Sequence, residues 1–87
     1  MIRTLRTTKR FDRDMKAATK RGKNLDKLWA VVECLVQGEP LAARHRLTGN
    51  WTPCWECHVE PDWLLIWYET EDEVVLAASG THSDLFG

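Results

Sequence analysis

Glu60-Pro61-Asp62-Trp63-Leu64-Leu65-Ile66-Trp67-Tyr68-Glu69-Thr70-Glu71-Asp72-Glu73 decides the fold of this 87-residue chain. Its longest apolar run, Trp63 to Tyr68, stands between two short polar connections, Glu60-Pro61-Asp62 and Glu71-Asp72-Glu73. Bulky aromatic and branched side chains favour extended backbone, and connections this short join antiparallel neighbours. Working outward, the pattern predicts strands over Trp51–Val59, Trp63–Thr70 and Val74–Ser79, arranged as a three-stranded meander. Pro53 lacks a backbone N–H, which places a bulge or an edge at the start of the first strand. Counting along the two hairpins, paired residue numbers sum to about 122 and about 143, which sets His58 beside Leu64 and Leu64 near Ser79.

Upstream, Ile2–Arg6 alternates apolar and polar residues and reads as a short strand. Thr7 or Thr8 can cap a helix running to about Arg21, with Gly22 as its stop. In that helix Phe11, Met15 and Ala18 share one side, and Lys9, Arg13, Lys16 and Lys20 share the opposite one. Asn24 opens a second helix with an apolar stripe of Leu25, Leu28, Trp29, Val32, Leu35 and Val36, closed by Gly38 and Pro40. Leu41–Gly49 reads as a loop carrying Arg44, His45 and Arg46. The expected fold is α+β, one domain over residues 1–87, with an N-terminal strand and a two-helix hairpin packed on an antiparallel sheet. A chain of this length builds one small core and not two.

The formal net charge of −1 conceals a segregation. Residues 1–28 hold ten basic and three acidic side chains, a local excess of +7, while residues 29–87 hold two basic and ten acidic ones, an excess of −8. The N-terminal part is suited to a polyanion, although a solvated helix face would account for the same charges; the near-zero total argues against nonspecific nucleic-acid binding. Trp63–Tyr68 is far too short to cross a bilayer, and no apolar block follows the basic N-terminus, so a cytoplasmic location is expected. Cys34, Cys54 and Cys57 are an odd count, which fits reduced thiols, Cys34 being a small buried residue of its helix. Cys54-Trp55-Glu56-Cys57-His58 matches a haem-attachment spacing, but that chemistry belongs to exported proteins. A redox pair wants its first thiol at a helix start, and a zinc site wants a second ligand pair. No metal and no cofactor is expected.

The hairpin count brings His58, Asp62, Trp63 and His82 to one end of the sheet, and another histidine, His45, lies in the Arg44-His45-Arg46 loop. Two imidazoles and a carboxylate suffice for general acid–base chemistry near neutral pH. Taken singly, each histidine is as readily an ordinary rim side chain and Asp62 a turn former. Trp63 could stack on a base, though a tryptophan opening a strand is more commonly core.

His58-Val59-Glu60-Pro61-Asp62-Trp63 and the terminal Gly80-Thr81-His82-Ser83-Asp84-Leu85-Phe86-Gly87, together with His45-Arg46-Leu47-Thr48-Gly49-Asn50-Trp51, resemble the YafQ branch of the RelE-type toxins of toxin–antitoxin systems. The resemblance spans nearly the whole chain. It implies a RelE-like, microbial-ribonuclease-like fold and a toxin that cleaves messenger RNA in the ribosomal decoding site without a metal, silenced by a cognate antitoxin protein. The family pattern falls on His45, His58, Asp62, Trp63, His82 and Phe86, and Glu56 stands where close relatives carry aspartate. On this reading a ribose 2′-hydroxyl attacks its neighbouring phosphate, which needs a base, an acid and positive charge. His58 and His82 would exchange protons, Asp62 would orient or charge one of them, and His45 with Arg46 would face the phosphate. Trp63 or Phe86 would pack on a base, and Lys9, Arg13, Lys16 and Lys20 would meet ribosomal RNA phosphates. The alternative is a catalytically silent module that binds its antitoxin and, through it, operator DNA.

Overall fold

The computed structural model describes residues 2–41 and 43–87; Ala42, within the segment expected as a loop, lies outside the described residues. In chain order the elements are β1 (Thr4–Thr7), α1 (Lys9–Lys20), α2 (Leu25–Gln37), β2 (His45–Arg46), a 3-10 turn (Gly49–Trp51), β3 (Trp55–Glu60), β4 (Trp63–Glu69), β5 (Glu73–Gly80) and α3 (His82–Phe86).

The expected meander is the centre of a larger sheet of order β1-β5-β4-β3-β2. β4 lies in the middle because it can be buried on both faces: Trp63, Leu65 and Trp67 enter the cluster under the two helices, and Leu64 and Ile66 enter a second cluster behind the sheet. β1 joins β5 in parallel, Leu5 against Val74, because the two-helix crossover returns the chain to the same end of the sheet. The pairing of His58 with Leu64 is as counted. Across the second hairpin Trp67 pairs with Leu76 as counted, but an extra residue at Ala77 shifts the far end, so Leu64 meets Gly80 rather than Ser79.

Both long helices begin where the sequence places caps. The Thr8 side chain accepts the Phe11 N–H at 3.1 Å, and the Asn24 side chain accepts that of Asp26 at 3.1 Å. Gly38 ends α2 with φ 74°, a left-handed geometry that a side chain would strain. Phe11 and Ala18 are buried under α1, while Lys9, Arg13, Lys16 and Lys20 are exposed on its far side, as the spacing predicts.

Two further expectations need correction. The first strand of the meander begins at Trp55 rather than Trp51, because the chain before it is taken up by the 3-10 turn and Pro53. The loop contains β2, which pairs His45 with Glu56 and Arg46 with Trp55. Behind the sheet, α3 lays Leu85 against Cys54, Leu64, Ile66 and Ala78. No helix among the described residues is long and apolar enough to cross a membrane.

Candidate active site

Alternation along β3 turns Cys57 toward the helices and Glu56 and His58 toward the face covered by α3. His45, directly opposite Glu56 across the β2–β3 ladder, points the same way. The result is one buried carboxylate between two imidazoles: Glu56 Oε1 is 3.5 Å from His45 Nδ1 and 3.5 Å from His58 Nδ1. Both distances exceed a good hydrogen bond, and that oxygen has no hydrogen-bond partner among the described residues. The group thus sits where it can pair with whichever of the two rings carries a proton.

The third imidazole arrives from the chain end. Thr81 caps α3 in a reciprocal box with Asp84, and the first residue inside the cap is His82. Asp62, in the β3–β4 turn, holds it at two points: Oδ1 accepts the His82 backbone N–H at 2.9 Å and lies 2.6 Å from its Nδ1. These contacts, the backbone one first, lower the Asp62 pKa, so the group is a carboxylate at neutral pH and can only accept. His82 Nδ1 therefore donates, and Nε2 is left free for chemistry. The His58 and His82 rings stand 5.2 Å apart between centroids. Phe86, 47% exposed, is 6.4 Å from the His82 ring and packs edge-on against Trp51 at 6.5 Å.

Thus His45, His58, Asp62, His82 and Phe86 share one rim, whereas two residues expected there do not. Trp63 is 2% exposed and its indole N–H donates to Ser79 Oγ at 3.0 Å, so it is core beneath the rim and offers no face to a base. Arg46 follows His45 on a strand and so faces the other way; its guanidinium carbon sits 4.9 Å from the centre of the Trp55 ring. Arg44 lies over the same ring at 3.9 Å and pairs with Glu69, which fixes the segment carrying His45. Lys9, Arg13, Lys16 and Lys20 make no salt bridge among the described residues.

The thiols stand apart from this chemistry. Cys54 joins the cluster behind the sheet and Cys57 the one under the helices, so they do not face a common ligand. Burial pushes the Cys57 thiol up to about 12, far from thiolate reactivity at neutral pH. Sequence reasoning missed Arg10, Arg21 and Asp84, which brace α3. The Thr81-His82-Ser83-Asp84 capping signature was there to reveal that helix.

A family model described as the bacterial toxin of type II toxin–antitoxin systems, YafQ, matches residues 3–87. Over 81 residues the chain is 38% identical to the mRNA interferase toxin YafQ of Escherichia coli K12, covering 88% of each protein. The crystal structure of the E. coli DinJ–YafQ toxin–antitoxin complex aligns over 100% of both chains with TM-score 0.91 and 35% identity. A metal-bound toxin from Helicobacter pylori aligns over 99% of this chain and 100% of its own with TM-score 0.88 and 38% identity.

Proposed function

Since this chain belongs to the YafQ family of type II toxin–antitoxin toxins and is an mRNA-cleaving endoribonuclease with the RelE-like α+β fold, we propose that its nuclease centre is the His45–His58–His82 rim, acting on messenger RNA held in the ribosomal decoding site. The observation that carries this reading is the double contact of Asp62 with His82, which fixes one imidazole with Nε2 outward, 5.2 Å ring to ring from His58.

In-line attack of a 2′-hydroxyl on the adjacent phosphate leaves a 2′,3′-cyclic phosphate and a free 5′-hydroxyl. One imidazole takes the 2′-hydroxyl proton and another gives a proton to the departing 5′-oxygen. His58 and His82 fill these two roles. Asp62 holds the tautomer and charge of His82, and Glu56 stabilises an imidazolium on His45 or His58, which faces the phosphate oxygens. Phe86 packs on a base, and Lys9, Arg13, Lys16 and Lys20 meet ribosomal RNA phosphates. No step calls for a metal.

Residues 1–87 act as one domain in the cytoplasm. The partner that silences it is a cognate antitoxin, as DinJ is found with YafQ in E. coli, and operator DNA is reached only through that antitoxin. Purified protein added to programmed ribosomes, followed by primer extension and end-group analysis of the fragments, tests the reading. New 5′ ends are expected within the decoding-site codon, with naked message left intact. Fragments that carry a 5′-phosphate in place of the 5′-hydroxyl, or cleavage that proceeds equally on naked message, overturn it.

A further inference from the structure

Between α1 and α3 lies a hollow of about 250 Å³ bordered by Arg10, Asp14, Arg21, Lys23, Asp62 and Asp84. Each of these charged groups already has a protein partner. Arg10 reaches Asp14 and the Asp84 carbonyl, Arg21 reaches Asp84, Lys23 reaches Glu60, and Asp62 reaches His82. The hollow is thus crossed by struts rather than left open to a charged ligand.

We infer that Arg21 and Asp84 form a positioning pair for His82, an inference that rests on the proposed role of that histidine. A single oxygen, Asp84 Oδ2, accepts Arg21 Nη1 at 2.9 Å and the Thr81 N–H at 3.0 Å. It therefore ties the end of α1 to the first turn of α3, one residue from His82. Arg10 adds a second tie, donating to the Asp84 carbonyl at 3.2 Å while lying 5.3 Å over the Trp51 ring. The close fit at Gly80 fixes the spacing, because a Cβ there would come within 2.9 Å of Asp84 Cβ. A helix of five residues does not hold itself together, so contacts of this kind decide how much of the time it is docked. Neither Arg21 nor Asp84 touches the reacting atoms.

The test is single-turnover cleavage of message on programmed ribosomes by the full chain, with the His82 ring followed by NMR in the same variants. Arg21→Gln is expected to lower the cleavage rate constant about fivefold with half-saturating ribosome concentration unchanged, and Arg21→Lys to restore most of it. Asp84→Asn is expected to have the same effect, and the double variant to be no slower than either single one. In each slowed variant the Nδ1–H signal of His82 bonded to Asp62 weakens. An unchanged rate, an unchanged His82 signal, or a loss confined to ribosome affinity overturns the inference, the last because it marks Arg21 as an RNA contact. His82→Ala in the same assay separates the two claims. An inactive His82→Ala beside a fully active Arg21→Gln removes only the strut, and a fully active His82→Ala removes the site and the strut together.

Discussion

Asp62 and Glu56 are both carboxylates facing imidazoles on the same rim, yet they are built in opposite ways. Asp62 is exposed, with one oxygen gripping His82 through ring and backbone at once. Glu56 is buried, 8% exposed, and leaves an oxygen without a hydrogen bond between His45 and His58. The first arrangement fixes one ring in one tautomer. The second fixes no ring, but sets a carboxyl group between two rings where water has little access. An acid–base centre uses both: one group with a settled proton position, and a pair whose proton can move.

Asp62→Asn attacks the settled side and is expected to have the larger effect. The amide can still accept the His82 backbone N–H, so α3 stays docked, but it no longer charges the ring and can present a donor to Nδ1. Cleavage on programmed ribosomes is expected to fall about tenfold to a hundredfold with little change in the thermal midpoint. An equal activity would make Asp62 a mere turn former.

Glu56→Gln attacks the other side. Losing the countercharge is expected to slow cleavage about threefold to tenfold, while the urea midpoint holds or rises because a buried unpaired oxygen loses its charge. A large loss of stability would show instead that Glu56 is held by contacts that matter to folding.

The smallest expected effect lies in acid. Arg21, and then the Thr81 N–H, hold the Asp84 carboxyl down to about 2, below the ordinary aspartate value. A depressed folded-state pKa contributes stability that is complete above the unfolded value and is lost as pH falls through the folded one. Undocking of α3, read from hydrogen exchange at Leu85 and Phe86, is therefore expected between about pH 4 and about pH 2, ahead of the sheet. Loss of protection near neutral pH would contradict this assignment.

Much of this comparison was legible in the sequence, and the remainder failed for identifiable reasons. The run Trp63–Tyr68 fixed the hairpins because the side-chain period of a strand is two and the turns are short, so His58 beside Leu64 followed by counting. The structure shows that the face Trp63 shares with Leu65 and Trp67 is the one the helices cover, which makes it core rather than a base-stacking residue. Arg46 was grouped with His45 because β2, only two residues long, left no alternation to read. The shift to Gly80 came from an extra residue at Ala77, which carries no turn chemistry to announce it. Arg10 and Arg21 looked like two more members of a cationic helix. Their pairing with α3 depends on where the tail lands, which is a tertiary fact.

The central claim is that His82, delivered by the tail onto Asp62, takes part in proton transfer. Its most direct measurement is the single-turnover rate of message cleavage by His82→Ala on programmed ribosomes, with ribosome and antitoxin binding checked alongside. The account predicts a rate lower by about a hundredfold or more with both binding steps intact. A rate equal to that of the unaltered chain would contradict it.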